Sequence, residues 1–428
     1  MRKFISFLFI VTLFSNFIFS KNFFSSRIYQ SKIDIPLSLS NNTFSLNDIL
    51  VKDLVIDLQK LSENVSDKGS EFISLLNPNI SSNINFSKFS IGSEFGIDGY
   101  FKVNFSKDWL NLLGKGYSAG DTINLGIDGC IDVYSYLDFP VTFEIGKFKF
   151  GITPGIFLPI LTFESAYANA SFNNDIDGNI KATINTKYNV LVSSGIYSVN
   201  KDKEDTIMPF MEIYDNKLPG FDLSASFEFP ILKNLNLLVS GSFPIIPGKL
   251  NQRMSYMEQC TNFEASVSEL IGISNKKNET QDDNKKNDEY YKSGRYWESV
   301  GHGLEMEELP QAYMINRPLK LNVYGIYNPF NFLSLTAGSG IVIKHPFDSG
   351  DVFVYPEYYC GGIINFFDVL KAAVSTEYTN QIFRHKIACV INLRIIEIDA
   401  GISLESSEFL KSFDFYGLGA QVGIILGF

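Results

Sequence analysis

Residues 412–428 read SFDFYGLGAQVGIILGF. Side chains alternate between the two faces of an extended chain. Tyr416, Leu418, Ala420, Val422, Ile424, Leu426 and Phe428 therefore share one apolar face. Phe415, Gly417, Gly419, Gln421, Gly423, Ile425 and Gly427 share the other, which is mostly small or polar. The chain stops on an aromatic at the end of the apolar face. A face this apolar, running to the terminus, needs a cover.

The other end of the chain points to lipid as that cover. MRKFISFLFIVTLFSNFIFS has a basic start at Arg2 and Lys3, an apolar run over 4–14 and a more polar end at Ser15, Asn16 and Ser20. Residues 1–20 thus have the outline of a secretory signal. The run is short for a membrane-spanning helix, and no later stretch has the ~20 unbroken apolar residues such a helix needs. A secreted, aromatic-rich chain without one folds in water or crosses a membrane as a closed barrel. The formal charge of −11 argues against a nucleic-acid partner, which would require a basic patch. Cys130, Cys260, Cys360 and Cys389 lie far apart and form no Cys-x-x-Cys pair, so neither zinc nor a redox motif is indicated.

Residues 21–83 differ from the rest. Leu46, Ile49, Leu50, Leu54, Leu58, Leu61 and Val65 recur at helical spacing, and Ser45 with Asp48 forms a capping box. A helical N-terminal segment is expected here, ending near Asn77-Pro78. It is either a periplasmic helix leading into a barrel or a plug inside it.

From residue 84 the period becomes alternating. SIGSEFGIDGYFKVNF opens the series. In 221–229, Phe221, Leu223, Ala225, Phe227 and Phe229 oppose Asp222, Ser224, Ser226 and Glu228. Comparable runs recur to the C-terminus. A long interruption, 244–316, holds an expected amphipathic helix from Met254 to Ile271 and the wholly polar run NKKNETQDDNKKNDE at 275–289, which cannot bury surface.

Counting back from a periplasmic C-terminus sorts the connections by length. Those at 395, 367–369, 329–330, 230–232 and 187 are short and fall on the periplasmic side. Those at 405–412, 380–382, 345–351, 244–316, 200–219, 165–175 and 106–120 fall outside. The one sizeable inner connection is 138–147. Short inner turns, long outer loops and an even count are the pattern of an outer-membrane barrel. The expectation is an all-β, antiparallel transmembrane barrel of about 14 strands (12–16), occupying 84–428.

With apolar faces against lipid, the polar faces line the lumen. They carry Asp128, Asp132, Asp222, Glu228, Glu397 and Asp399, with Lys181, Lys320, Lys386 and Arg394. Charges of both signs suit a wet, selective channel or ion pairs across the lumen. No Gly-x-Ser-x-Gly elbow or His-Glu-x-x-His occurs. His302 is near Glu305, Glu307 and Glu308, where a polar loop accounts for it more simply than an acid/base site. No enzyme activity, cofactor or metal is expected.

The signal, the alternating strands and the terminal Ile424-x-Leu426-x-Phe428 resemble Gram-negative outer-membrane β-barrels. That resemblance implies recognition of the last strand, ending at Phe428, by the barrel-assembly machinery. The turn-rich style of Asn328-Pro329-Phe330 and of 244–250 resembles uncharacterised spirochaete outer-membrane proteins. Asn77-Pro78-Asn79 is similar to the Asn-Pro-Ala motif of the long-chain fatty-acid transporter family, departing at the third residue. The expected function is a channel or transporter for small or apolar solutes in the bacterial outer membrane, with lipid as its surroundings. The alternative is a surface adhesin acting through an extracellular loop 244–316.

Overall fold

The computed structural model describes residues 27–45, 58–116, 118, 120–174, 179–193, 218–266, 307–344, 352–366 and 369–428. The expected signal, the polar run 275–289, Trp297, His302 and His345 lie outside them.

All described strands belong to one antiparallel sheet that closes on itself. In chain order they are β1 (Tyr29–Asn41), β2 (Ser70–Leu76), β3 (Asn79–Asn85), β4 (Phe89–Phe105), β5 (Thr122–Asp138), β6 (Val141–Ile145), β7 (Phe148–Asn174), β8 (Asn179–Val192), β9 (Gly220–Leu232), β10 (Leu235–Ile246), β11 (Gly248–Ser266), β12 (Glu307–Ile315), β13 (Leu319–Phe330), β14 (Leu333–Lys344), β15 (Phe353–Phe366), β16 (Leu370–Thr379), β17 (Ile382–Asn392), β18 (Ile396–Ser406) and β19 (Leu418–Gly427). Among the described residues two short α-helices, α1 (Leu58–Asn64) and α2 (Lys107–Lys115), lie between strands.

Closure is made by β1 against β19, in register from Gln30↔Gly427 to Leu39↔Leu418. Tyr29 and Phe428 exchange both backbone hydrogen bonds at 3.1 Å. Both ends of the ring thus meet at one rim, as an antiparallel ring with an even strand number requires. This corrects the sequence reading of 21–83. The barrel begins at β1, not at residue 84, and among the described residues no clear helical N-terminal segment is present; α1 has only seven residues. Residues 46–57, the bulk of the expected helix, lie outside the described residues. The signal for β1 was present: Ile33, Ile35, Leu37 and Leu39 face outward, while Asp34, Ser38 and Ser40 are buried inside. Helically spaced leucines just downstream masked it.

The described residues form nineteen strand segments, more than the expected ring of about fourteen strands (12–16), because several ring positions hold more than one segment. Two causes are local. Asn77-Pro78 splits β2 from β3, which both pair with β4, and Phe139-Pro140 splits β5 from β6. Proline has no N–H to donate to a ladder. The third cause is segments set end to end. Residues 149–157 of β7 pair with β9 and residues 161–174 with β8, so β8 and β9 share one position beside β7. β9 pairs with β10 and β8 with β11, while β10 pairs with β13 and β11 with β12, so β10–β11 and β12–β13 each run on as one strand position. The pairings overturn two further expectations. Residue 187 lies inside β8 and is no turn. Residues 254–266 belong to β11 and are not helical, because the β8 ladder satisfies their backbone groups.

The rim that holds Tyr29 and Phe428 carries short turns at 86–88, 146–147, 233–234, 331–332 and 393–395. The "inner" connection 138–147 is in fact strand β6 followed by a two-residue turn. β1, β4, β14 and β18 end at the opposite rim, which also carries one tight turn at 380–381. α2 stands in 106–121, with Trp109 Nε1 donating to the Gly126 carbonyl at 3.2 Å.

The outer wall is apolar. On β19, Leu418, Val422, Ile424 and Leu426 are exposed, and Gln421 and Ile425 are buried. Near the short-turn rim Phe143 stacks on Phe150 at 5.3 Å, Phe150 meets Phe227 at 4.8 Å, and Phe330 stacks on Phe332 at 5.3 Å. Toward the opposite rim Tyr378 meets Phe383 at 4.4 Å, and Phe383 meets Phe409 at 5.3 Å. An apolar wall between two aromatic belts, around a polar interior, is the inside-out arrangement of a barrel in lipid.

Candidate solute cavity in the lumen

Inward residues divide the lumen into two unlike halves. Around β16–β19 and β1 it is filled. Arg384 Nε bonds Glu405 Oε1 at 2.7 Å and its Nη1 bonds Glu377 Oε1 at 2.6 Å. Ser38 donates to Glu405, and Ser403 does so at 2.6 Å. Lys386 donates to Gln421, whose amide donates to Asp34 at 2.9 Å. Lys32 bridges Asp34 at 3.2 Å and Asp399 at 3.6 Å. The glycines of β19 make room for this network. A Cβ at Gly423 would overlap the Asp399 carboxylate, and one at Gly419 would overlap Glu405 and Ser403. The charges of this network are tolerated because they are paired and hydrogen-bonded to one another.

On the other side, against β3–β7, β9, β10 and β13, lies a cavity of about 620 Å³. It reaches the short-turn rim at Ser87 and Lys88. At its far end Tyr134, Tyr136, Phe157, Leu191, Leu250 and Ile315 form an apolar roof. A second apolar cluster joins Ile73, Leu75 and Tyr100 to Ile382, so the tight turn 380–381 is folded inward. Lys102 Nζ holds that turn by donating to Gln381 at 3.3 Å.

Arg317 enters from the segment between β12 and β13. Its Nη1 lies 3.2 Å from Asp138 Oδ1 and 3.0 Å from Asp222 Oδ2, and its Nη2 lies 3.7 Å from Asp98 Oδ2. Its guanidinium sits 4.7 Å over the Tyr136 ring, and Tyr136 donates its hydroxyl to Glu94 at 3.0 Å. Gly155 is the floor of this cluster: a Cβ there would overlap both Asp222 and Asp138. Across the lumen Lys344 places Nζ 3.4 Å from the centroid of Tyr100.

The ten charged residues expected in the lumen separate into groups. Asp132, Glu228 and Lys320 line the cavity. Asp222 is buried behind it on Arg317. Lys386 and Asp399 belong to the filled half. Glu397 is buried, beside Asn392 in the register of β17 and β18. Asp128 and Lys181 are exposed on strands near the long-loop rim, and Arg394 is exposed in the 393–395 turn. The ten are therefore not one site. Missed by the sequence reading were Glu94, Asp98, Asp138 and Arg317, with Lys32, Asp34, Glu377, Arg384 and Glu405. Glu94, Asp98, Tyr100 and Lys102 do share one alternating face of SIGSEFGIDGYFKVNF, so that signal was available. Nothing local marks Arg317.

His385, the one described histidine, is buried on the outer side, hydrogen-bonded to Ser412 at 2.8 Å and Thr376 at 3.0 Å. Cys130, Cys360 and Cys389 are free thiols.

No family model and no curated protein matches the chain. Among solved structures it is similar to the Ralstonia pickettii toluene transporter TbuX, at 8% identity and TM-score 0.41, over 94% of this chain and 90% of that one. It is similar at the same identity and score to the P. putida toluene transporter TodX, over 94% and 89%. The monoaromatic hydrocarbon channel CymD matches at 6% identity and TM-score 0.41, over 94% and 89%. The spirochaete likeness gains no support from these matches. The barrel reading rests on the strand pairings and the inside-out wall described above.

Proposed function

We propose that this chain is an outer-membrane channel or transporter for small or apolar solutes. The observation that carries the reading is the eccentric cavity of about 620 Å³, open at one rim and roofed by apolar side chains inside a lipid-facing barrel. A barrel that served only as a scaffold for surface loops would gain nothing from an unfilled lumen beside a filled one. The roof supplies an apolar surface for a solute, and the walls supply polar groups that orient it. In this reading the short-turn rim, with Phe428, faces the periplasm and the extended β7–β8–β11 end of the sheet faces outward.

Purified protein in liposomes should pass solutes small enough for the cavity, measured by swelling or by single-channel conductance. A barrel sealed to every solute tested removes the reading. Brief proteolysis of intact cells tests the orientation: cleavage between 275 and 289 is expected, and protection there until lysis reverses the topology.

The terminal aromatic gives a separate expectation. Phe428 is 76% exposed and its ring lies 5.7 Å from Tyr29. Phe428→Ala should therefore lower the stability of the assembled barrel by only about 1 kcal/mol, while sharply reducing the amount assembled in cells. Equal assembly of variant and native protein would remove Phe428 as an assembly signal.

A further inference from the structure

We infer that the cavity binds solutes carrying an ammonium group on an apolar body. This deepens the proposed transport function and rests on it.

Charge is the first argument. Around Tyr136 four carboxylates, Glu94, Asp98, Asp138 and Asp222, gather about one guanidinium, that of Arg317. The nearest lysine of the filled half, Lys32, is held by Asp34 and Asp399. Lys88, Lys320 and Lys344 also line the cavity, so the surplus negative charge is confined to the wall around Tyr136, where surrounding low-dielectric protein favours a cation.

The aromatic rings are the second argument. The protein's own cations already occupy ring faces in this lumen: Arg317 over Tyr136 at 4.7 Å and Lys344 over Tyr100 at 3.4 Å. The electron-rich faces of these rings favour positive charge. Tyr136, the ring beside Glu94, is therefore a face on which positive charge is favoured.

The third argument is the neighbour of the charge. Tyr134 and Tyr136 line both the cavity and the apolar roof with Phe157 and Leu250. An ammonium held at Glu94 and Asp98 would leave its attached apolar body against that roof. A carboxylate in the same seat would meet like charge, and a neutral alcohol would gain nothing from the surplus.

The test is equilibrium binding to the full-length detergent-purified barrel, using benzylammonium, benzyl alcohol and benzoate, which differ chiefly at one group. Benzylammonium should bind at least about tenfold more tightly than the other two, from its charge-assisted hydrogen bonds. Glu94→Gln and Asp98→Asn, each checked for native folding, should remove that preference. Equal binding of the three probes, or an ammonium preference untouched by both substitutions, overturns the inference. Conductance separates the two levels. A sealed barrel that still prefers benzylammonium sinks the transport reading alone, whereas a conducting barrel without the preference sinks only this inference.

Discussion

Replacing Arg317 with methionine should lower the stability of the folded barrel by about 3 kcal/mol, the low end of the range for breaking a buried ion pair. The mechanism is the charge left behind. Asp138 and Asp222 approach the guanidinium within 3.2 Å and 3.0 Å, and Gly155 lets them lie side by side. Methionine fills much of the volume but leaves these carboxylates, and Asp98, facing one another. The low end of the range applies because Asp98 is 37% exposed to lumen water, although Asp222 is only 3% exposed. Urea unfolding of the purified barrel measures the effect. Adding Asp222→Asn to the Arg317→Met protein should recover about half of the loss, since one of the two closest like charges is then gone. Unaltered stability in the single variant, or no recovery in the double, would contradict this account of the cluster.

The second large effect is expected at the seam. Gly423 pairs with Asp34 on β1 and Asp399 on β18. Lys32 bridges those two carboxylates, and a Cβ on residue 423 would overlap Asp399. Gly423→Val therefore forces Asp399 out of its ion pair as the ring closes. Overpacking costs about 1–3 kcal/mol, and breaking the buried pair costs about 3–5 kcal/mol more. Together these approach the whole stability of a typical domain. Most of the variant should stay unfolded, seen as loss of the band that migrates differently before and after boiling. Ile424→Val, one residue away on the lipid face, should fold normally. A Gly423→Val protein that closes as well as the native one would show that the glycine face of β19 is not there for the network.

Alternation made the outer wall legible. The apolar faces of β9, β13, β14 and β19 were readable because lipid imposes one simple demand on every outward residue. Connection lengths were readable for a similar reason: polar or long stretches cannot lie within lipid. Interior placement was less so. Lys386, Asp399 and Asp132 all carry the same signature, inward and charged, yet the first two are packed into a network and the third borders open space. Periodicity reports which way a side chain points and not what stands opposite it.

Sequence alone thus determined the class of protein, since the last strand and its repeats leave an apolar wall that only lipid covers well. The tertiary structure decided the rest. Closure through β1, the end-to-end placing of β8 and β9 beside β7, the inward turn at 380–381 and the reach of Arg317 all depend on partners distant in the chain. Ser38 and Glu405 are 367 residues apart, and they meet only because the ring closes. The glycine face of β19, first seen only as the small side of an apolar strand, is the space that this meeting requires.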